Sequence, residues 1–189
     1  MQIPSNTLKC VLQFAAKKDI RYYLQGVCFE QCATGTYAVA TDGHVICVAR
    51  LDSEAHEPLS IIISSDHLAQ AVKNNKYDVF IEPMPDGKVT LKSSNGEMTV
   101  PLIDGRFPDW RRVTRAPITG DRAYINPVLL DRINAAGKMY CKRKTAYITR
   151  QNGNSIGHCY IDDEVQAFVM PLRWNDDDML PVPGWIATA

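Results

Sequence analysis

Residues 60–76 read SIIISSDHLAQAVKNNK. The same layout stands at 2–18, QIPSNTLKCVLQFAAKK, and again at 123–138, AYINPVLLDRINAAGK. Each copy has a short β-type run, a residue suited to cap a helix, and then a helical stretch. The capping candidates are Ser5, Ser65 and Asn126, whose side-chain oxygens can accept from the free amides of a helix start. Pro127 stands at the first helical position, where its missing N–H costs nothing. Leu8, Leu68 and Leu129 hold matching places, spaced by 60 and then 61 residues.

Working outward, each helix is followed by three β-type runs. They are YYLQGVCFEQ, TYAVATDG and HVICVARLD after the first, YDVFIEPM, KVTLKSS and EMTVPLI after the second, and TAYITRQN, SIGHCYI and QAFVMPLR after the third. Turn dipeptides punctuate them: TG at 34–35, DG at 42–43 and 86–87, NG at 95–96 and 152–153. The chain therefore reads as about three copies of a β-α-β-β-β unit, an α+β repeat architecture. One helix and a small sheet cannot bury their apolar face alone, so neighbouring units must cover each other. The domain reading is 1–115 for a first domain of two units (1–59 and 60–115) and 116–174 for a third unit. The stretch from 175 on, with its acids, prolines and glycine, reads as a mobile tail.

The chain has 189 residues, with 21 Lys and Arg against 21 Asp and Glu. That neutrality gives no general attraction to nucleic acid or to an anionic membrane, so any such binding must come from a local patch. No apolar run approaches the length needed to span a bilayer, and the N-terminus lacks a signal-peptide pattern, so a cytoplasmic location is expected. Of the six cysteines, Cys28, Cys47 and Cys159 lie in apolar runs, which fits reduced core thiols. Cys28 and Cys32 have no second Cys/His pair at zinc-finger spacing, so no metal or other cofactor is expected.

Asp42 and His44 in ATDGH could form an acid/base pair, but no nucleophile can be placed beside them, and DG between strands is first a hairpin turn. No phosphate-cradling glycine motif is present. Basic residues cluster after the first helix (Lys17, Lys18, Arg21, beside Tyr22 and Tyr23) and after the third (Lys138, Lys142, Arg143, Lys144). Such cations oppose a helix dipole, or they line an electropositive surface that touches phosphates without reading bases.

Four stretches, RYYLQGVCFE (21–30), VATDGH (39–44), IDGRFPDWRRV (103–113) and FVMPLR (168–173), together resemble the bacterial DNA sliding clamp, the β subunit of replicative DNA polymerase. Units one and two look like that family's middle domain, and unit three like the closing half of its last domain. The resemblance implies a DNA-clamp-like fold with helices on one face and antiparallel sheets on the other. In the family, twelve such units form a ring around duplex DNA, and polymerases tether through a short peptide to a hydrophobic pocket on the outside. It implies a processivity factor and no enzyme.

Carried over position by position, the resemblance implies a partner-peptide pocket of Thr41, Gly43, His44, Val45, Ile46, Pro108, Arg112, Val113, Phe168, Met170, Pro171, Leu172 and Arg173. It implies DNA contacts from Lys17, Lys18, Arg21 and Tyr23. Val45 stands where the family often has Arg, and Ser65 and Asp66 replace a basic pair at the second helix. The implied partners are double-stranded DNA without sequence preference, a replicative DNA polymerase and a clamp loader, and further copies of the chain. A tetrameric ring is favoured over an open dimer. The rival reading is a clamp-like decoy that binds partner peptides or a host clamp without encircling DNA.

Overall fold

The protein was analysed as a computed structural model, which describes residues 1–115, 124–142, 148–152 and 156–172. The first unit holds β1 (Gln2–Ile3), α1 (Ser5–Leu12), β2 (Gly26–Cys32), β3 (Gly35–Thr41) and β4 (Val45–Asp52). The second holds β5 (Leu59–Ser64), α2 (Ser65–Val72), β6 (Val79–Pro83), β7 (Lys88–Ser93) and β8 (Gly96–Pro101). A short α3 (Trp110–Thr114) lies in the connector to the third unit, which holds α4 (Pro127–Cys141), β9 (Ile148–Asn152), β10 (Ile156–Tyr160) and β11 (Val165–Val169).

The opening strands do not stay with their own units. β5 of the second unit pairs antiparallel with β2 of the first, placing Ile63 opposite Val27 and Ile62 opposite Cys28. β1 of the first unit pairs antiparallel with β6 of the second, placing Ile3 opposite Val79 and Gln2 opposite Phe80. The two ladders share one register, so units one and two exchange strands about a local two-fold axis. A different junction joins units one and three. Their last strands, β4 and β11, pair antiparallel, with Val45 opposite Val169, Cys47 opposite Ala167 and Ala49 opposite Val165. The described strands thus form two sheets, one ordered β5-β2-β3-β4-β11-β10-β9 and the other β1-β6-β7-β8.

Helices α1, α2 and α4 cover one side of these sheets, and α1 packs against both α2 and α4. The core between the layers includes Leu8, Val11 and Phe14 around α1, Leu68 and Ala71 of α2, and Ile133 and Ala136 of α4. From the sheets come Phe29, Cys47, Ile63, Ile81, Leu91 and Ala167. Strand alternation sends Cys28, Val39, Ile46, Val48 and Ile62 to the opposite, outer face, where they form a second apolar cluster with Trp110. The second unit's sheet is one-sided, with Val79 and Ile81 buried and Phe80 and Glu82 exposed. The contrast explains the composition. Strands covered on both faces read as near-continuous apolar runs, and half-covered ones alternate.

The helix starts differ from expectation in two places. Asn126 caps α4 as expected, accepting from the Val128 amide at 3.0 Å. At α2 the cap is Ser64, one residue earlier than expected, with its hydroxyl accepting from the Asp66 amide at 3.3 Å. At α1 the cap position falls to Pro4, whose extended φ of −60° and ψ of 138° break the strand. Ser5 is already helical and buried, with its hydroxyl turned away from any partner among the described residues. Aligned on these caps, the counterpart of Leu8 and Leu68 is Leu130 and not Leu129. Ile133 then falls where Val11 and Ala71 are buried.

Unit three departs from expectation at its opening. The segment Tyr124–Asn126 forms no strand among the described residues. Units one and two hold their opening strands on each other, and no such exchange involves unit three among the described residues. If strand exchange holds the first two units together, Ile63→Ala should destabilise the whole protein by about 3 kcal/mol, within the range for buried Ile→Ala changes. Urea unfolding would show this as a lower midpoint in one transition with an unchanged slope.

Candidate functional site

The turn Thr41–His44 between β3 and β4 is built by its own side chains. The Thr41 hydroxyl donates to the Val45 carbonyl at 2.7 Å and accepts from the Gly43 amide at 3.0 Å. Asp42 accepts from the amides of His44 at 2.8 Å and Val45 at 3.0 Å. Gly43 sits at φ +92°, and a β-carbon there would come within 3.1 Å of the Arg21 guanidinium. Both the backbone and the close approach select glycine.

β11 ends beside this turn. Phe168 lies opposite Ile46 and stacks on His158 with ring centroids 4.8 Å apart. Beyond the strand, the Met170 amide donates to the His44 carbonyl at 2.8 Å, and the Leu172 amide to the Tyr124 carbonyl at 2.7 Å. The stretches 41–46 and 168–172, far apart in sequence, therefore meet edge to edge at one end of the β4–β11 ladder.

The connector completes this outer surface. Leaving β8, it bonds to β5, the second unit's strand that lies in the first unit's sheet, through the Ile103 amide and the Ile62 carbonyl at 2.8 Å, then runs over the outer face of the sheet. Ile103, Phe107 and Trp110 pack there with Tyr23, Tyr37, Ile46 and Phe168. The Trp110 indole N–H donates to a Glu30 carboxylate oxygen at 3.1 Å, and Arg111 pairs with the other oxygen at 2.5 Å. The Arg111 guanidinium also lies 4.1 Å from the Trp110 ring centroid and 5.3 Å from that of Tyr37. Arg111, which sequence reasoning passed over, is the clasp of the connector. Its neighbour Arg112 is exposed, as are Pro108 and Val113.

The expected pocket residues therefore sort by exposure. Ile46 and Phe168 lie in the outer-face apolar cluster. Val113, Met170 and Leu172 are exposed apolar side chains, at 39%, 40% and 42% of full exposure. Pro171 is half-buried between Met170 and Leu172. Val45 is a correction. Alternation along β4 turns it into the inner core, 1% exposed, where it supports the site from beneath. Thr41 is buried too, and its hydroxyl is occupied within the turn. Arg173 lies outside the described residues, as do Arg143, Lys144 and the stretch from 175 on.

On the helix side an open groove runs between α1, α2 and α4. It is lined by Lys9, Lys17, Lys18, Arg21, Lys73 and Arg132, together with Asp19, Asp42, His44 and Asp66. Three of these cations are tied internally, Lys9 by donating to the Asn75 carbonyl at 2.5 Å. Arg21 pairs with Asp19 at 2.7 Å, and its hydrogen bond to that carboxylate lowers the Asp19 pKa to about 2. Arg132 of α4 pairs with Asp42 at 2.5 Å, bridging the third unit to the first unit's turn. Lys17 and Lys18 are exposed. The 3-10 turn Tyr22–Gln25 buries Leu24 inward and packs Tyr23, half-buried, against the outer-face cluster, still within electrostatic reach of Arg21.

Residues 2–109, more than half of the chain, match the family described as DNA polymerase III beta subunit, central domain. The chain belongs to this family of sliding clamps. It is 34% identical over 123 residues to the beta sliding clamp of Salmonella typhimurium, and 32% identical over 123 residues to that of Escherichia coli K12. In each case the match covers 59% of this chain and 32% of the relative, so the chain spans about a third of their length. Two solved structures share the fold. The DNA polymerase sliding clamp of Pseudomonas aeruginosa superposes with a TM-score of 0.70 at 18% identity, over 92% of this chain and 66% of its own. The DNA polymerase III β subunit of Thermotoga maritima superposes with a TM-score of 0.71 at 14% identity, over 93% and 65%. The structural likeness thus extends past residue 109 into the third unit.

Asp42 generates a pH-dependent prediction. Burial raises its pKa, but the Val45 amide, Arg132 and the His44 amide outweigh burial and leave it lowered. A lowered carboxyl contributes stability above its unfolded value, about 3.9, and loses it as pH falls through the folded value. Arg132→Met should cost about 2 kcal/mol near neutral pH, the scale of a charged hydrogen bond. The gap to the parent protein should shrink on acidification below about pH 4. Thermal unfolding at several pH values reads this directly.

Proposed function

We propose that this protein is a non-enzymatic processivity clamp. Copies of the chain assemble around duplex DNA and hold a replicative polymerase through a short hydrophobic peptide. The observation that carries the reading is membership of the sliding-clamp family over residues 2–109. Two surfaces support it: an apolar site on the outer sheet face and a groove bearing lysines on the helix face. Residues 1–115 then act as a clamp domain of two units, and 116–174 as a half-domain. No step is chemical. The clamp keeps its polymerase at high effective concentration after each release. Clamp-loader peptides would use the same outer site, and the work would take place in the cytoplasm.

On this reading, partner peptides lie over Ile46 and Phe168, between Met170, Pro171 and Leu172 on one side and Pro108, Arg112 and Val113 on the other. Gly43 and His44 form one end, with Thr41 and Val45 beneath. Lys17 and Lys18 face phosphates, and Arg21 stands at the boundary of the two surfaces.

A second reading is a decoy that captures partner peptides without encircling DNA. The observation behind it is that the outer-face apolar cluster is assembled within one chain, which would suffice to hold a peptide. Retention on circular DNA separates the two. A ring stays on a closed circle through gel filtration and is lost when the circle is cut, whereas a decoy is never retained.

The two surfaces should also separate by mutation. Leu172→Ala should weaken a hydrophobic polymerase-tail peptide by about 1–2 kcal/mol and leave DNA binding unchanged. Arg112→Ala should likewise weaken the peptide more than DNA. Lys17→Ala should reduce the log–log salt slope of DNA binding by about 1, with peptide affinity intact. Peptide titration and salt-series DNA titration supply the two readouts, and the opposite ranking would reverse the assignment.

A further inference from the structure

On the proposed reading, a partner peptide lies between two stretches of different build. One is 168–172. It is held by backbone, with β11 laddered on β4, the Met170 amide on the His44 carbonyl at 2.8 Å and the Leu172 amide on the Tyr124 carbonyl at 2.7 Å. The other carries Pro108, Arg112 and Val113 and has no such tie. Past the Ile103 amide, no backbone hydrogen bond joins residues 104–115 to the rest of the chain among the described residues. Trp110 is the one residue of 104–115 that is buried. Helix α3 is five residues long, and Asp109 at its start makes no side-chain cap. A helix that short does not hold itself in water.

What holds it is a carboxylate on the sheet. Glu30 stands on β2 directly opposite Tyr37 of β3. One of its oxygens accepts from the Trp110 indole at 3.1 Å, and the other from Arg111 at 2.5 Å. A second nitrogen of the Arg111 guanidinium reaches the Cys32 sulfur at 3.5 Å, and the group lies against the rings of Trp110 and Tyr37. This use of both the fork and the flat face is specific to arginine. A single carboxylate thus satisfies two successive residues of α3. Each helical residue turns about 100° from the one before. Fixing Trp110 and Arg111 on the sheet therefore sends Arg112 and Val113 outward, where both are exposed.

We propose that Glu30 is a positioning residue of the peptide site. It sets affinity through α3 without belonging to the surface that a peptide would touch. The inference rests on the proposed function and deepens it. With the carboxylate in place, Arg112 and Val113 are in position before a peptide arrives. Without it, the Trp110 N–H and the Arg111 cation lose their acceptor, α3 loosens, and the cost of ordering it falls on binding.

Two measurements test this. The first is amide exchange in the free protein. The Arg115 amide donates to the Arg111 carbonyl at 3.0 Å and so reports on the turn of α3. Glu30→Ala should speed its exchange by about tenfold or more and leave the Met170 amide unchanged. The second is titration with a hydrophobic polymerase-tail peptide. Glu30→Ala should weaken it by about tenfold, with DNA affinity unaltered. Glu30→Gln, which keeps an acceptor for Trp110 and loses the charge, should fall between. Arg111→Lys should not rescue the fork and should resemble the loss. Should Glu30→Ala fail to fold, Arg111→Met opens the same contact from the connector's side.

A double-mutant cycle separates positioning from general damage. In a chain already carrying Arg112→Ala and Val113→Ala, Glu30→Ala should cost almost nothing more. In a chain carrying Leu172→Ala it should cost its full tenfold. An equal cost in both backgrounds, peptide binding by Glu30→Ala as tight as the parent's, or unchanged Arg115 exchange would overturn the proposal. A parent protein that takes up no peptide at all would overturn the proposed function first, whereas tight parent binding indifferent to Glu30 sinks this inference alone.

Discussion

Backbone hydrogen bonding at sheet edges governs this molecule. A unit of one helix and a few strands leaves amides and carbonyls open along its margins, and these must be paired or wetted. The chain satisfies them by lending strands. β5 closes the edge of β2 and β1 closes the edge of β6. β4 then takes β11 at the other side. Each pairing carries apolar side chains with it, so the inner core runs unbroken from Leu91 in unit two through Phe29 in unit one to Ala167 in unit three.

The same pairing makes the outer site. Bringing β11 beside β4 sets Phe168 next to Ile46, and the returning connector lays Phe107 and Trp110 onto the shared outer face. The clasp of Glu30, Trp110 and Arg111 fixes the connector there. Sheet edge, connector and turn come from three distant parts of the sequence. The site therefore forms only when unit three has docked on unit one.

Local signals carried much of this into the sequence. The repeat, the three long helices, the hairpin glycines and the outer-face strings were all readable, because turn chemistry and periodicity act over a few residues. The stretches that carry the family resemblance at 41–46 and 168–172 meet at one end of the sheet. What stayed hidden was long-range or directional. Nothing local says that Ile3 pairs with Val79 and not with its own unit. Val45 and Ile46 are similar aliphatic neighbours, and only strand phase sends one inward and the other out. Arg111 and Arg112 are the same residue type, and the turn of α3 decides which becomes a clasp. Ser5 could cap in composition, but Pro4 set the helix start one residue sooner. Tyr23 shares a basic, aromatic string with Lys17, and a single 3-10 turn packs it half-buried against the outer-face cluster.

The ion pair between Asp42 and Arg132 has a consequence for motion. Together with Asp19 and Arg21, it consumes charge that the groove would otherwise offer to a duplex. A surface with many free cations would hold phosphates in deep wells and release counterions at each contact. A helix face that spends its guanidinium groups on its own carboxylates presents a smoother potential. On the proposed reading, that internal neutralisation acts as a lubricant: the ring is kept on DNA by its closure, and the weak grip of its inner wall leaves it free to travel.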